Sequence, residues 1–212
     1  MNDNLVLAAR KTKLLSGDKT NQVDAVIETD LPSNVLAELE TQWSEGREAG
    51  KSRLECAGSS RQCQHSHWKW NCHQKMFGVA NKQFRLLGVR MGTEWQGAMA
   101  ICCKSQTTHT LPALYVEYIE TAPWNYKPFV QPNSPRYHHL GSMLMQEAVR
   151  LSVEMGLQGC VGLSSLPIAD SFYEHIGMTR LSEYRICDYI CGYYEFTAEA
   201  AQSFLARGIT GE

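Results

Sequence analysis

The segment from Arg136 to Gly156, R-Y-H-H-L-G-S-M-L-M-Q-E-A-V-R-L-S-V-E-M-G, constrains the rest of the chain more than any other. Leu140, Leu144, Ala148, Leu151 and Met155 recur at intervals of four, four, three and four, which aligns them on one face of an α-helix ended by Gly156. A helix with one apolar face must pack on another layer. Just before it, Arg136 and a turn through Gly141 present backbone N–H groups at the helix N-terminus. Unpaired donors and the helix dipole favour a bound anion there, a phosphate above all.

The 212 residues suit one domain with an ordinary core. A formal charge of −2 gives no general attraction to nucleic acid or to an anionic membrane, so neither is expected as a partner. No run approaches the ~18 apolar residues of a membrane helix, and the start, Met-Asn-Asp-Asn, lacks a signal-peptide pattern; a cytoplasmic protein is expected. The eight cysteines then read as reduced thiols rather than a disulfide framework. Cys56, Cys63, His65, His67, Cys72 and His73 hold enough ligands for zinc but no C-x2-C pair. The alternatives are a metal-holding module and a polar loop running into a helix; no metal is assigned.

Residues 1–22 are polar and mixed, with a turn at Ser16-Gly17-Asp18-Lys19, and read as a flexible arm before a single domain spanning 23–212. Val23 to Thr29 is β-prone. A helix from Ser33 puts Val35, Leu36, Leu39 and Trp43 on one face and ends in the Gly46 to Gly50 region. A second helix is expected from about Ser66 to Phe77, with Trp68, Cys72 and Met76 on its stripe and Trp70 off it. Phe84 to Met91, a turn at Gly92 to Glu94, and Trp95 to Cys103 read as a hairpin, followed by a strand from Leu114 to Thr121. After the long helix come a buried strand, Cys160 to Ser164, and a helix from Pro167 with Ala169, Phe172 and Ile176 on one face, closed by Gly177. Tyr184 to Phe196, with Gly192 as a candidate bulge, is a last strand or strand pair, and Thr197 caps a tail helix.

Two motifs within this order carry a resemblance. Arg136-x-x-His139-x-Gly141 resembles the Gln/Arg-x-x-Gly-x-Gly/Ala pyrophosphate loop of the GCN5-related N-acetyltransferases (GNATs). Leu166-Pro-Ile-Ala169-Asp-Ser-Phe172-Tyr173-Glu-His-Ile-Gly177-Met178 resembles that family's Asn-x-x-Ala-x-x-Phe-Tyr-x-x-x-Gly-Phe segment. Ile119-Glu120-Thr121-Ala122-Pro123 looks like the end of the strand that pairs with the pantetheine arm, so the likeness covers residues 114–178. It implies an α/β (α+β) GNAT fold, a mixed, mostly antiparallel central sheet with helices on both faces, and acetyl-CoA as cosubstrate. The implied cofactor-binding residues are Ile119, Glu120, Thr121, Arg136, Tyr137, His138, His139, Leu140, Gly141, Ser142, Ala169 and Phe172.

The sequence departs from the pattern at three places. His139 stands where the loop usually has glycine; it either points outwards, or contacts phosphate, or spoils the seat. Leu166 replaces the asparagine before the last helix, and residues 124–135 insert a proline-rich loop.

The resemblance implies N-acetyl transfer to a primary amine by direct attack in a ternary complex. Tyr173 matches the tyrosine that protonates the leaving thiolate, with phenol and thiol reference pKa values of ~10 and ~8.5 close enough for transfer. Glu120 and Glu117 are the candidate bases, with water the alternative; an odd separation turns them to opposite faces of a regular strand. Trp70, Tyr118 and Trp124, with Trp68 behind them, are candidates for an aromatic acceptor pocket for a small-molecule or peptide amine. The alternative is a catalytically degenerate domain acting as a CoA-binding sensor or an interaction module. Open strand edges, Tyr184 to Phe196 among them, are compatible with a homodimer.

Overall fold

A computed structural model describes residues 9–58, 69–70, 84–107, 112–186 and 189–208. The chain gathers into two compact units, 1–99 with 119–141 and 100–118 with 142–212. The secondary structure is mixed α/β, with a large and mostly antiparallel sheet.

In the first unit the strands run in the order β6-β1-β2-β3-β4. They are β1 (Arg10–Ser16), β2 (Gln22–Thr29), β3 (Phe84–Met91), β4 (Glu94–Thr107, which passes on into the second unit) and β6 (Tyr137–His138). Strand β1 pairs antiparallel with β2, Leu14 opposite Val23, and takes β6 on its other edge, Leu15 opposite His138. Residues 10–16 are therefore sheet, not the loose arm read from their polar composition. Their strand character comes from pairing on both edges and from Leu14, which is fully buried.

Helix α1 (Val35–Cys56) buries Val35, Leu36, Leu39 and Trp43, the expected stripe. Each such side chain contributes about 1.5–3 kcal/mol when removed from water. Trp43 Nε1 donates to the Trp95 carbonyl at 3.0 Å and Gln42 Oε1 accepts from Trp95 N at 2.9 Å, which locks the helix onto the hairpin of β3 and β4. Contrary to the sequence reading, α1 continues through Gly46 and Gly50. Those glycines serve packing: a Cβ on Gly50 would lie 2.7 Å from Phe129 Cβ, and one on Gly46 would lie 3.1 Å from Pro123 Cβ. Phe129 belongs to α2 (Lys127–Val130), a short helix inside the proline-rich insertion.

In the second unit the order is β4-β5-β7-β9-β8. Strand β5 (Pro112–Thr121, whose end lies in the first unit) runs parallel to β7 (Val161–Ser165), Tyr115 opposite Gly162. A parallel pair needs a crossover, and α3 (Leu140–Glu154) provides it. Leu140, Leu144, Ala148 and Leu151 are all buried as expected, with Met143, Met145 and Val149 beside them. Gly156 follows in the left-handed region at φ 79°.

Helix α4 (Asp170–Ile176) ends at Gly177, φ 101°. It buries Tyr173 and Ile176, whereas Phe172 of the expected face stays partly exposed. Strands β8 (Thr179–Ile186) and β9 (Tyr189–Phe196) are antiparallel, and the irregularity falls between Arg180 and Ser182 rather than at Gly192. Gly192 lies in regular register, and a Cβ there would meet the Tyr194 ring at 2.6 Å. Thr197 accepts from Ala200 N and caps α5 (Ala198–Arg207), as its sequence position predicts.

The expected helix at 66–77, Trp68 and most of the cysteine–histidine cluster lie outside the described residues. Among the described residues no three His, Cys, Asp or Glu side chains group to hold a metal, and no helix is long and apolar enough to cross a membrane.

Candidate functional site

The first unit contains a cavity of about 910 Å³. Four pieces of chain wall it: Lys19 from the β1–β2 turn, Thr121 at the end of β5, the insertion from Asn125 to Pro135, and Tyr137 to Gly141 at the start of α3. Local contacts hold the walls together. A Cβ on Gly17 would collide with the Pro135 carbonyl, so only glycine lets that turn lie against the insertion. His138 Nε2 lies 3.1 Å from the Gly17 carbonyl oxygen, and Asn125 Oδ1 accepts from Tyr137 N at 3.0 Å. Asn125 itself is buried, with Nδ2 donating to Gln96 Oε1 at 3.0 Å.

The cavity's lining suits an anion. It includes Lys19, Lys127, His138 and His139 and no carboxylate, and it reaches Leu140 and Gly141, where α3 begins and where helices in general leave N–H groups without intrahelical partners. Of the residues expected to hold the cofactor, Thr121, Tyr137, His138, His139, Leu140 and Gly141 line it. His139 occupies the left-handed region at φ 63°, which explains why glycine suits that position and which costs a histidine about 1 kcal/mol or more.

Arg136 departs from expectation. Its guanidinium lies 4.9 Å from the Trp124 ring centre and 3.6 Å from Glu94, on the exposed surface, and it is not among the lining residues. Trp124 is correspondingly occupied: its Nε1 donates to Gln96 Oε1 at 2.8 Å. It braces the insertion.

Glu120 sits in a buried node instead of on the cavity wall. Trp70 Nε1 donates to Glu120 Oε2 at 2.6 Å, while Arg47 Nε and Nη2 approach Oε1 and Oε2 at 3.4 Å each. Glu40 completes the node, accepting from Arg47 Nη1 at 2.9 Å and from Trp70 N at 3.0 Å. Trp43 meets Trp70 edge to face at 6.4 Å. Burial pushes the Glu120 carboxyl above the usual carboxylate range, and the Arg47 charge and the Trp70 N–H pull it back in part. Trp70 is thus a buried partner of Glu120 rather than an open wall of an acceptor pocket. Arg47 and Glu40 were missed by sequence reasoning, although Arg47 falls four residues after Trp43 on the buried stripe, where a charge demands a partner.

In the second unit, Glu117 is half-buried and its carboxyl is raised by desolvation, as is the nearby phenol of Tyr118, on which the Glu117 charge also acts. Tyr173 is 5 % exposed, packed against Phe172 and Tyr194 at ring distances of 5.1 and 5.9 Å. Burial first and the Asp170 charge second push its phenol upward, so it holds its proton throughout the neutral range. Ala169, just before α4, and Ser142, in the first turn of α3, are partly exposed, and Ile119, which belongs to the first unit, is half-buried near the end of β5.

No protein-family sequence profile matches the chain, and no curated protein matches it in sequence. Solved structures do match its fold. The GNAT domain of S. lividans PAT aligns with a TM-score of 0.54 at 12 % identity, over 88 % of this chain and 96 % of that one. The aminoglycoside acetyltransferase AAC(6')-Ib, in complex with coenzyme A and kanamycin, aligns with a TM-score of 0.52 at 14 % identity, over 84 % of this chain and 98 % of that one. The same enzyme with paromomycin and acetyl-CoA gives 0.53 at 14 % identity over 83 % and 96 %. Identity this low speaks for architecture alone, and the architecture of this chain is the GNAT fold.

Proposed function

We propose that this chain is an acetyl-CoA-dependent N-acetyltransferase that passes the acetyl group to a primary amine by direct attack in a ternary complex. The observation that carries this reading is the anion-suited cavity at the start of α3, lined in part by Tyr137 to Gly141 of the stretch that resembles the GNAT pyrophosphate loop. The matched fold, which acetyltransferases that bind CoA or acetyl-CoA also have, supports it.

In this reading the start of α3 at Leu140 and Gly141 would hold the cofactor's phosphates, and Thr121, which lines the same cavity, would meet its pantetheine arm. The amine nitrogen forms a bond to the thioester carbonyl carbon, the C–S bond breaks, and the sulfur takes a proton. Tyr173, which matches the family's tyrosine, is assigned to give that proton, although burial raises its phenol and so makes it a weaker acid toward the thiolate than a free phenol. Glu117 is the better candidate to receive the amine's proton. Its raised carboxyl moves toward the working range of a base, whereas both oxygens of Glu120 are engaged by Arg47 and Trp70.

The alternative is a CoA-binding sensor or interaction module without turnover. The left-handed His139 in the loop and the diversion of Arg136 onto Trp124 favour it. Incubation with labelled acetyl-CoA and a panel of primary amines, including short peptides, tests the two. Amide product formed by the wild type and lost about a hundredfold in Tyr173→Phe, with folding intact, supports the enzyme. CoA binding without product from any amine moves the assignment to the sensor.

A further inference from the structure

The resemblance gives Arg136 to the phosphate loop, but the geometry diverts it. Its guanidinium is held over Trp124 and next to Glu94 on the exposed surface, and Arg136 is not among the residues that line the cavity. The cavity is nevertheless cationic, because two lysines from outside both motifs line it. Lys19 lies in the β1–β2 turn and Lys127 begins α2 in the insertion. Both side chains are exposed, and the backbone that carries each is held in place. Lys19 N donates to the Ser16 carbonyl at 2.8 Å, its backbone is left-handed at φ 59°, and the same turn is pressed by Gly17 onto Pro135. The Lys127 carbonyl accepts from Gln131 N at 3.2 Å, and the neighbouring Phe129 is buried against α1. The two stretches that look most like surface decoration, an N-terminal hairpin turn and a proline-rich insertion, thus each contribute one lysine to the cavity's lining.

We propose that Lys19 and Lys127, in place of Arg136, are the side chains that bind the phosphate groups of the ligand in this cavity. The ligand class is a phosphorylated nucleotide conjugate; the inference rests on the acetyl-CoA reading and assigns its charge contacts. Ammonium groups act on phosphate as flexible point charges, while the α3 backbone provides directional donors. Division of labour of this kind tolerates a histidine at position 139, because the tight backbone approach carries less of the binding.

The test is calorimetric titration of the full chain with CoA and with 3′-dephospho-CoA at low and high salt. The variants are Lys19→Gln with Lys127→Gln, the charge-keeping Lys19→Arg with Lys127→Arg, and Arg136→Ala, each checked for unchanged thermal unfolding. The expected result is a loss of about tenfold or more in the glutamine pair, with a flatter salt dependence, retention in the arginine pair, and less than about threefold change in Arg136→Ala. A smaller loss with dephospho-CoA than with CoA assigns one lysine to the 3′-phosphate, and an equal loss assigns both to the pyrophosphate. Wild-type binding that the glutamine pair leaves intact, or that Arg136→Ala abolishes, overturns the assignment while leaving the acetyl-CoA reading standing. Absence of wild-type binding overturns both.

Discussion

Trp70 donates its indole N–H to Glu120 at 2.6 Å inside the first unit, and Arg47 lies 3.4 Å from the same carboxylate. With Glu40 on the other side of Arg47, the node holds two carboxylates against one guanidinium. A buried pair of this kind is costly to break from one side, because the partner left behind has no water to turn to.

Arg47→Met is accordingly expected to destabilise the fold by about 3–5 kcal/mol. The pH dependence follows from Glu120, whose carboxyl is raised above its ordinary 4.5 by burial. A raised carboxyl contributes stability that is full below its unfolded value and is lost as pH rises through the folded one. The wild type should therefore lose stability relative to Glu120→Gln as pH climbs from about 4.5 toward neutrality. Urea unfolding of both proteins across that range checks it; parallel curves would refute a raised Glu120.

Gly50 and Gly46 face different neighbours in the same helix. Gly50→Ala forces a methyl against the Phe129 ring and is expected to cost about 1–3 kcal/mol. Gly46→Ala comes tightest to Pro123 Cβ, at 3.1 Å, with Pro123 Cγ and the Trp124 ring at 3.5 and 3.8 Å, and the gain in helix propensity of about 1 kcal/mol offsets much of that contact. Denaturant midpoints should rank wild type and Gly46→Ala close together, with Gly50→Ala well below. The reverse ranking would contradict the packing of α2 on α1.

His139, left-handed at φ 63°, gives a third ordering. A β-branched residue suffers most there, so His139→Val should be less stable than His139→Gly by at least about 1 kcal/mol. Thermal or urea unfolding decides this. Equal stability of the two variants would mean that the loop relaxes to an ordinary extended turn.

These contrasts show which parts of the architecture could be read from the chain. Helix α3 was legible because its burial follows a local repeat, Leu140, Leu144, Ala148 and Leu151, which sequence displays directly. The end of α1 was not, because Gly46 and Gly50 signal a helix stop locally whereas their real constraint is Pro123 and Phe129, far along the chain. Strand β1 was hidden for the same reason: a polar stretch with one buried leucine becomes a strand only when β2 and β6 pair with it. At the site, the loop from Tyr137 to Gly141 was visible as a motif. The diversion of Arg136 and the contribution of Lys19 depend on tertiary neighbours that no spacing encodes.

The central claim is that the cavity at the N-terminus of α3 binds acetyl-CoA. Calorimetric titration of the wild type and of Gly141→Trp, which places an indole in the cavity's lining, tests it most directly. The account predicts micromolar binding at one site per chain in the wild type and none in the variant, with both proteins equally folded. No heat of binding with the wild type, or equal binding by the two proteins, would contradict it.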